Sequence, residues 1–220
     1  MPAQIFSRNA NANLRVALIG ITLLLFGIVA ALIGLYLSPW YTEQGVAKAQ
    51  PVPFSHAHHV TQLKIDCRYC HNTVERAATA GFPATETCMS CHSQIWTTSP
   101  LLQTVRDSYK NDTTIVWNRI YDLPAFVYFN HSIHVAKGIG CTTCHGQIGA
   151  MPLTYKAQPL YMGWCLGCHR DPAQNIRPRD QVFNVDYKVD SLPLADRQQL
   201  VIDYKIPTDG RLTNCYTCHR

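Results

Sequence analysis

No cysteine of this 220-residue chain stands outside a Cys-x-x-Cys-His pentapeptide, so the ten cysteines cannot be read as a disulfide framework, which scatters them at varied spacings. No pentapeptide carries lysine in place of its histidine. Charged residues are sparse, at 15% of the chain, and are missing altogether from residues 16–37. Methionine is scarce, with four copies. These absences exclude a secreted disulfide scaffold and a soluble chain of even polarity.

What is present is one motif repeated five times: Cys67-Arg-Tyr-Cys70-His71, Cys88-Met-Ser-Cys91-His92, Cys141-Thr-Thr-Cys144-His145, Cys165-Leu-Gly-Cys168-His169 and Cys215-Tyr-Thr-Cys218-His219. The pattern is that of c-type haem attachment. Two thiols form thioethers with the porphyrin vinyl groups, and the adjacent imidazole lies under the iron. Zinc sites use cysteine pairs two at a time and need no histidine after each. The motifs therefore predict five covalently bound haem c groups, with His71, His92, His145, His169 and His219 as proximal ligands. Thioether formation implies maturation outside the cytoplasmic membrane, so the haem-bearing part is expected in the periplasm.

Residues 16–37 form a 22-residue uncharged run. At about 1.5 Å per residue it spans a hydrocarbon layer of roughly 30 Å. Arg8 and Arg15 precede it and no basic residue follows before Lys48. The positive-inside tendency then puts the N-terminus in the cytoplasm and the rest outside, with Trp40 and Tyr41 at the outer interface. Ala47-Lys48-Ala49 has the look of a signal-peptidase site, but it lies ten residues past the run, and the run is longer than a typical signal h-region. The expectation is an uncleaved single-pass anchor in the inner membrane. Residues 1–41 would be the cytoplasmic N-terminus and anchor, and 42–220 the haem domain.

About 180 residues cannot enclose five porphyrins in a layered core, so the haems themselves must form it. The fold class expected is one N-terminal transmembrane helix plus a domain of short helices and loops wrapped around haems, with little strand. The formal charge of +5 carries no nucleic-acid reading, because haem propionates would offset it.

The chain also contains a duplication. Phe54-Ser-His56-Ala-His58-His59-Val60 and Phe129-Asn-His131-Ser-Ile-His134-Val135 share the pattern Phe-x-His-x-x-His-Val, and each is followed by two haem motifs. Repeat one runs over about 54–95 and repeat two over about 129–172. Histidines at i and i+3 on a helix emerge on one face, where they can serve two irons. His56, His59, His131 and His134 are thus the expected distal ligands, and such pairs resemble those of class III and c7 cytochromes. One iron still lacks a sixth ligand, for which Met151, Met162 and His58 are candidates in that order. A thioether ligand would raise the reduction potential of its haem.

Elsewhere, Ser99-Pro100 opens a short helix ending near Asp112, with proline at the first position. Residues 113–129 read as extended and aromatic, suited to packing on haem rather than to a quinone pocket. Residues 193–204 form another short helix.

Three functions compete on these residues. A multihaem reductase needs an open iron, often at a lysine variant of the motif, and that variant is missing. A tetrahaem-type quinol dehydrogenase typically has methionine two residues after its first motif histidine, whereas Asn72-Thr73 follow His71. An electron-transfer subunit is left. Over nearly its whole length the chain resembles the pentahaem cytochrome c subunit of alternative complex III. The resemblance rests on the anchor, the motifs, the two repeats, Trp117-Asn-Arg119-Ile-Tyr-Asp-Leu-Pro124, Met162-Gly-Trp164-Cys165 with Cys168-His169-Arg170, and Thr213-Asn-Cys215-Tyr-Thr-Cys218-His219-Arg220. It implies a relay that is not an enzyme on its own. The implied partners are an iron–sulfur subunit related to molybdopterin oxidoreductases, multispanning quinol-site subunits and a monohaem cytochrome c. Hexahaem subunits of quinone reductase complexes resemble it too and would carry one haem more.

Overall fold

The computed structural model describes residues 5–219. Residues 1–4, the start of the expected cytoplasmic stretch, and Arg220, the end of the terminal motif, lie outside the described residues. The chain divides into two compact units, Met1–Gln44 and Gly45–Arg220.

The first unit is dominated by α1 (Ala10–Leu37), in which no residue is buried. Its apolar side chains point in every direction, the pattern of a helix meant for an apolar surround rather than for one protein face. By composition and its length of 28 residues it is able to cross a membrane. Ser38 ends it in extended geometry, with φ −70° and ψ 153°, because a following proline disfavours the helical region. Pro39 then opens the one-turn α2 (Pro39–Thr42), whose Tyr41 N–H donates to the Ser38 hydroxyl at 3.4 Å.

The second unit contains short helices and irregular segments, and among the described residues its only strand-like pairings are two isolated bridges, Ala47 with Tyr155 and Ile139 with Ile176. The expected fold class is the one found. Each haem motif forms or closes a helix: α3 (Cys67–Cys70), α4 (Thr85–His92), α7 (Cys141–His145), α8 (Met162–Arg170) and α10 (Cys215–Cys218). Between them lie α5 (Gln103–Asn111), preceded by a 3-10 turn at Pro100–Leu102, then α6 (His131–Ala136), and finally α9 (Leu194–Asp203). The helices expected near 100–112 and 193–204 are therefore present. Residues 113–129 form neither helix nor ladder, because no neighbouring strand takes up their backbone groups.

The buried apolar residues form small satellites rather than one core. Val52, Leu102, Val105 and Ile115 make one cluster, against which Cys88, Met89 and Trp117 pack. Ala173, Ile176 and Val201 make a second, beside Leu200, Tyr204 and Ile206. Histidines and cysteines occupy the space a core would normally fill. Arg177, 3% exposed, threads this region: its Nη2 donates to Thr142 Oγ1 at 3.1 Å and its guanidinium lies 5.0 Å over the Tyr187 ring. Gly140 permits that approach, since a Cβ there would collide with the guanidinium.

Candidate haem-binding sites

One helical turn places the two cysteines of each motif at i and i+3 and the histidine at i+4, so all three emerge from one face. The turns are started by local caps: Asp66 accepts from Arg68 N–H at 2.8 Å, and Asn214 accepts from Tyr216 N–H at 3.1 Å. All ten thiols are unpaired; eight are half-buried, while Cys91 and Cys215 are exposed.

The histidine rings are held in a recurring way. His71 Nδ1 donates to Gly81 O at 2.8 Å, His92 to Ile95 O at 3.4 Å, His169 to Leu212 O at 2.9 Å and His219 to Phe126 O at 3.1 Å. The distal candidates follow suit, with His59 donating to Ser55 O at 2.9 Å, His131 to Ala78 O at 2.8 Å and His134 to Asn130 O at 2.7 Å. A proton fixed on Nδ1 leaves the Nε2 lone pair available, which is the tautomer that metal-ligating histidines adopt. His56 Nδ1 pairs with the Thr154 hydroxyl at 3.1 Å instead.

Three pairs of imidazoles then face each other across gaps. The ring centres of His59 and His92 are 6.3 Å apart, those of His131 and His145 6.4 Å, and those of His134 and His169 6.2 Å. A metal ion binds an imidazole nitrogen at about 2.0 Å and the ring centre lies about 1.1 Å beyond it, so two imidazoles sharing one metal sit about 6.2 Å apart. Direct packing is closer: Phe54 lies 4.4 Å from His59 and Phe129 lies 4.6 Å from His134. The gaps thus fit an iron with one imidazole on each side. Among the described residues no three His, Cys, Asp or Glu side chains converge as a metal cluster. A porphyrin supplies four equatorial nitrogens and asks only two axial ligands of the protein.

Electrostatics suit ligation as well. Burial, followed by the neighbouring His71 and His59, lowers His56 to about 4. Burial, then His131, His71 and His56, lowers His145 to about 4. Burial also lowers His59, His131 and His134. Neutral imidazole is the form a metal needs. His56, His71, His131 and His145 form one neighbourhood, so the first and third motifs lie side by side. Among neighbouring side chains, His71 acts most strongly on His56.

The candidates for the last ligand are placed differently. Met151 is 2% exposed and among the largest fully buried side chains, its Cε beside Gly146. Met162, 66% exposed, opens α8 one turn before Cys165. His58 turns aside: its Nδ1 pairs with Gln62 Oε1 at 2.8 Å and its ring lies 6.0 Å from Trp96. In the aromatic stretch, Tyr121 lies 4.4 Å from His145 and Phe126 lies 5.8 Å from His219. Sequence reasoning did not single out Thr154, Ala78 or Arg177 as supporting groups. All three act through distant contacts that leave no local pattern, Ala78 through its carbonyl alone.

Residues 127–220 match the family described as cytochrome c7 and related cytochrome c. Over that segment, less than half of the chain, the sequence is similar to cytochromes that bind haem c covalently. Over 99 residues the chain is 33% identical to a protein of Nitratidesulfovibrio vulgaris (strain Hildenborough) named menaquinone reductase, multihaem cytochrome c subunit. The alignment covers 44% of this chain and 46% of that protein, so the chain spans about half the length of the curated relative it matches.

Proposed function

We propose that the chain is a membrane-anchored pentahaem cytochrome that relays electrons inside a quinol-oxidising respiratory or photosynthetic complex of the alternative complex III type. The observation that carries the relay is the set of three imidazole pairs at 6.2–6.4 Å, a separation suited to a saturated iron rather than to one open for substrate. When bound, haem c supplies one-electron chemistry. The cysteine pairs at 67/70, 88/91, 141/144, 165/168 and 215/218 would hold each porphyrin, with the motif histidines as proximal ligands. His56, His59, His131 and His134 would serve as distal ligands, their rings held at Nδ1.

For the fifth iron, the exposure of Met162 favours it over Met151, whose side chain is enclosed by polypeptide. Met162 shares a helical face with Cys165, and α8 packs on the 3-10 turn Arg211–Thr213 that leads into the fifth motif. Residues 1–41 serve as the anchor with its N-terminus in the cytoplasm, and residues 42–220 lie in the periplasm. An iron–sulfur subunit of the molybdopterin-oxidoreductase type, multispanning quinol-site subunits and a monohaem cytochrome c complete the assembly.

The name of the relative favours a second reading, a quinone reductase complex in which electrons run towards menaquinone. The two readings separate by direction. In the complex purified from membranes, a quinol analogue should reduce these haems within turnover and a high-potential cytochrome should reoxidise them. Haems that a quinol analogue leaves oxidised, but that pass electrons to menaquinone analogue, decide for the second reading.

A further inference from the structure

The contacts between the two repeats are reciprocal. His56 of repeat one is held at Nδ1 by Thr154, nine residues beyond His145 in repeat two. His131 of repeat two is held at Nδ1 by Ala78, seven residues beyond His71 in repeat one. One residue further along each histidine turn, Ala57 N–H donates to Met151 O at 3.0 Å and Ser132 N–H donates to Ala77 O at 3.2 Å. Met151 and Ala77 both lie six residues after their motif histidine. A contact in which residue i of one copy meets j of the other, while j meets i, defines a two-fold arrangement.

Contacts within each repeat join its two motifs. The Tyr69 and Ser90 hydroxyls, each inside a Cys-x-x-Cys loop, join motifs one and two at 2.8 Å. α6 joins motifs three and four, because its His131 faces His145 and its His134 faces His169. Motif five attaches to motif four alone in this scheme: His169 Nδ1 donates to Leu212 O, three residues before Cys215, and α8 packs on the 3-10 turn Arg211–Thr213.

We infer that repeats one and two face each other across an approximate two-fold axis between the His56 and His131 turns, so that the five haem motifs follow one another in space as two, one, three, four, five. This rests on the reading of these motifs as haem sites. The order differs from that of the sequence, and it makes the second and fifth motifs the ends of the relay. The exposure of the thiols agrees, since Cys91 and Cys215, the two exposed ones, belong to those same two motifs.

The test is an iron-edge anomalous diffraction map, or a cryo-EM map, of the full-length haem-loaded complex. Five iron positions are expected in the succession two, one, three, four, five, with one rotation exchanging the irons of motifs one and three and those of motifs two and four. Five irons in any other succession, such as motif two beside motif three, overturn the inference while leaving the haem sites standing. Missing irons, or irons not flanked by the paired histidines, overturn the haem reading itself and the order with it.

Discussion

Repeat one and repeat two carry the same histidine pattern on different backbones. Around His131 and His134 the chain forms the α-helix α6, whereas around His56 and His59 it winds as a π-helix over Ala57–Gln62. Both nevertheless place phenylalanine on the second histidine, and both send that histidine's Nδ1 to the carbonyl four residues back. Ring orientation is what differs: the planes of His134 and His169 lie 24° apart, while those of His59 and His92 lie 68° apart. The separation of the paired rings is thus kept in both repeats, while the angle between them changes.

The comparison can be broken most severely by withholding haem. With only two small apolar clusters to hold it, the unit Gly45–Arg220 should not fold when expressed without cytochrome maturation. Far-ultraviolet circular dichroism and rapid proteolysis should show an unfolded chain, and a protease-resistant haem-free domain would argue against haems as the core. Next in size is loss of one distal ligand. His134→Ala and His59→Ala should each convert one low-spin haem to high spin, seen as a high-spin absorption band in the oxidised protein, with equal amplitude in the two repeats.

The ring angles sharpen the comparison further. EPR of the oxidised protein should separate a strongly axial low-spin signal, from the near-perpendicular His59–His92 pair, from rhombic signals of the His131–His145 and His134–His169 pairs. His59→Ala should remove the axial signal and spare the rhombic ones. For the last iron, Met162→Leu should abolish the histidine–methionine charge-transfer band. Met151→Leu should keep that band and cost less than about 1.5 kcal/mol of stability, as volume-conserving core exchanges do. The smallest effect is expected at His58: His58→Gln should leave every haem signal in place, because that ring is turned towards Gln62 and Trp96.

Much of this was legible in the sequence, for reasons specific to the residues. The motifs state their chemistry through spacing alone, and residues 16–37 state theirs through uninterrupted apolarity. The helices near Pro100 and Pro193 are announced by proline at their starts. The π-winding around His56 was not legible, because the same Phe-x-His-x-x-His-Val pattern forms the α-helix α6 in the other repeat. The role of Met151 was obscured for a related reason. The sequence offers a sulfur at a suitable distance from His145, but only packing reveals that the side chain is enclosed. The supports of His56 and His131 lie 98 and 53 residues away, at a hydroxyl and a backbone carbonyl, and no local pattern points to either.

Near-infrared magnetic circular dichroism of the oxidised, haem-loaded protein tests the central claim most directly, because its charge-transfer bands report the axial ligands of each low-spin iron. Four bis-histidine haems and one histidine–methionine haem are the result expected from the paired imidazoles and Met162. Two or more high-spin haems, or imidazole pairs without iron between them, would contradict it.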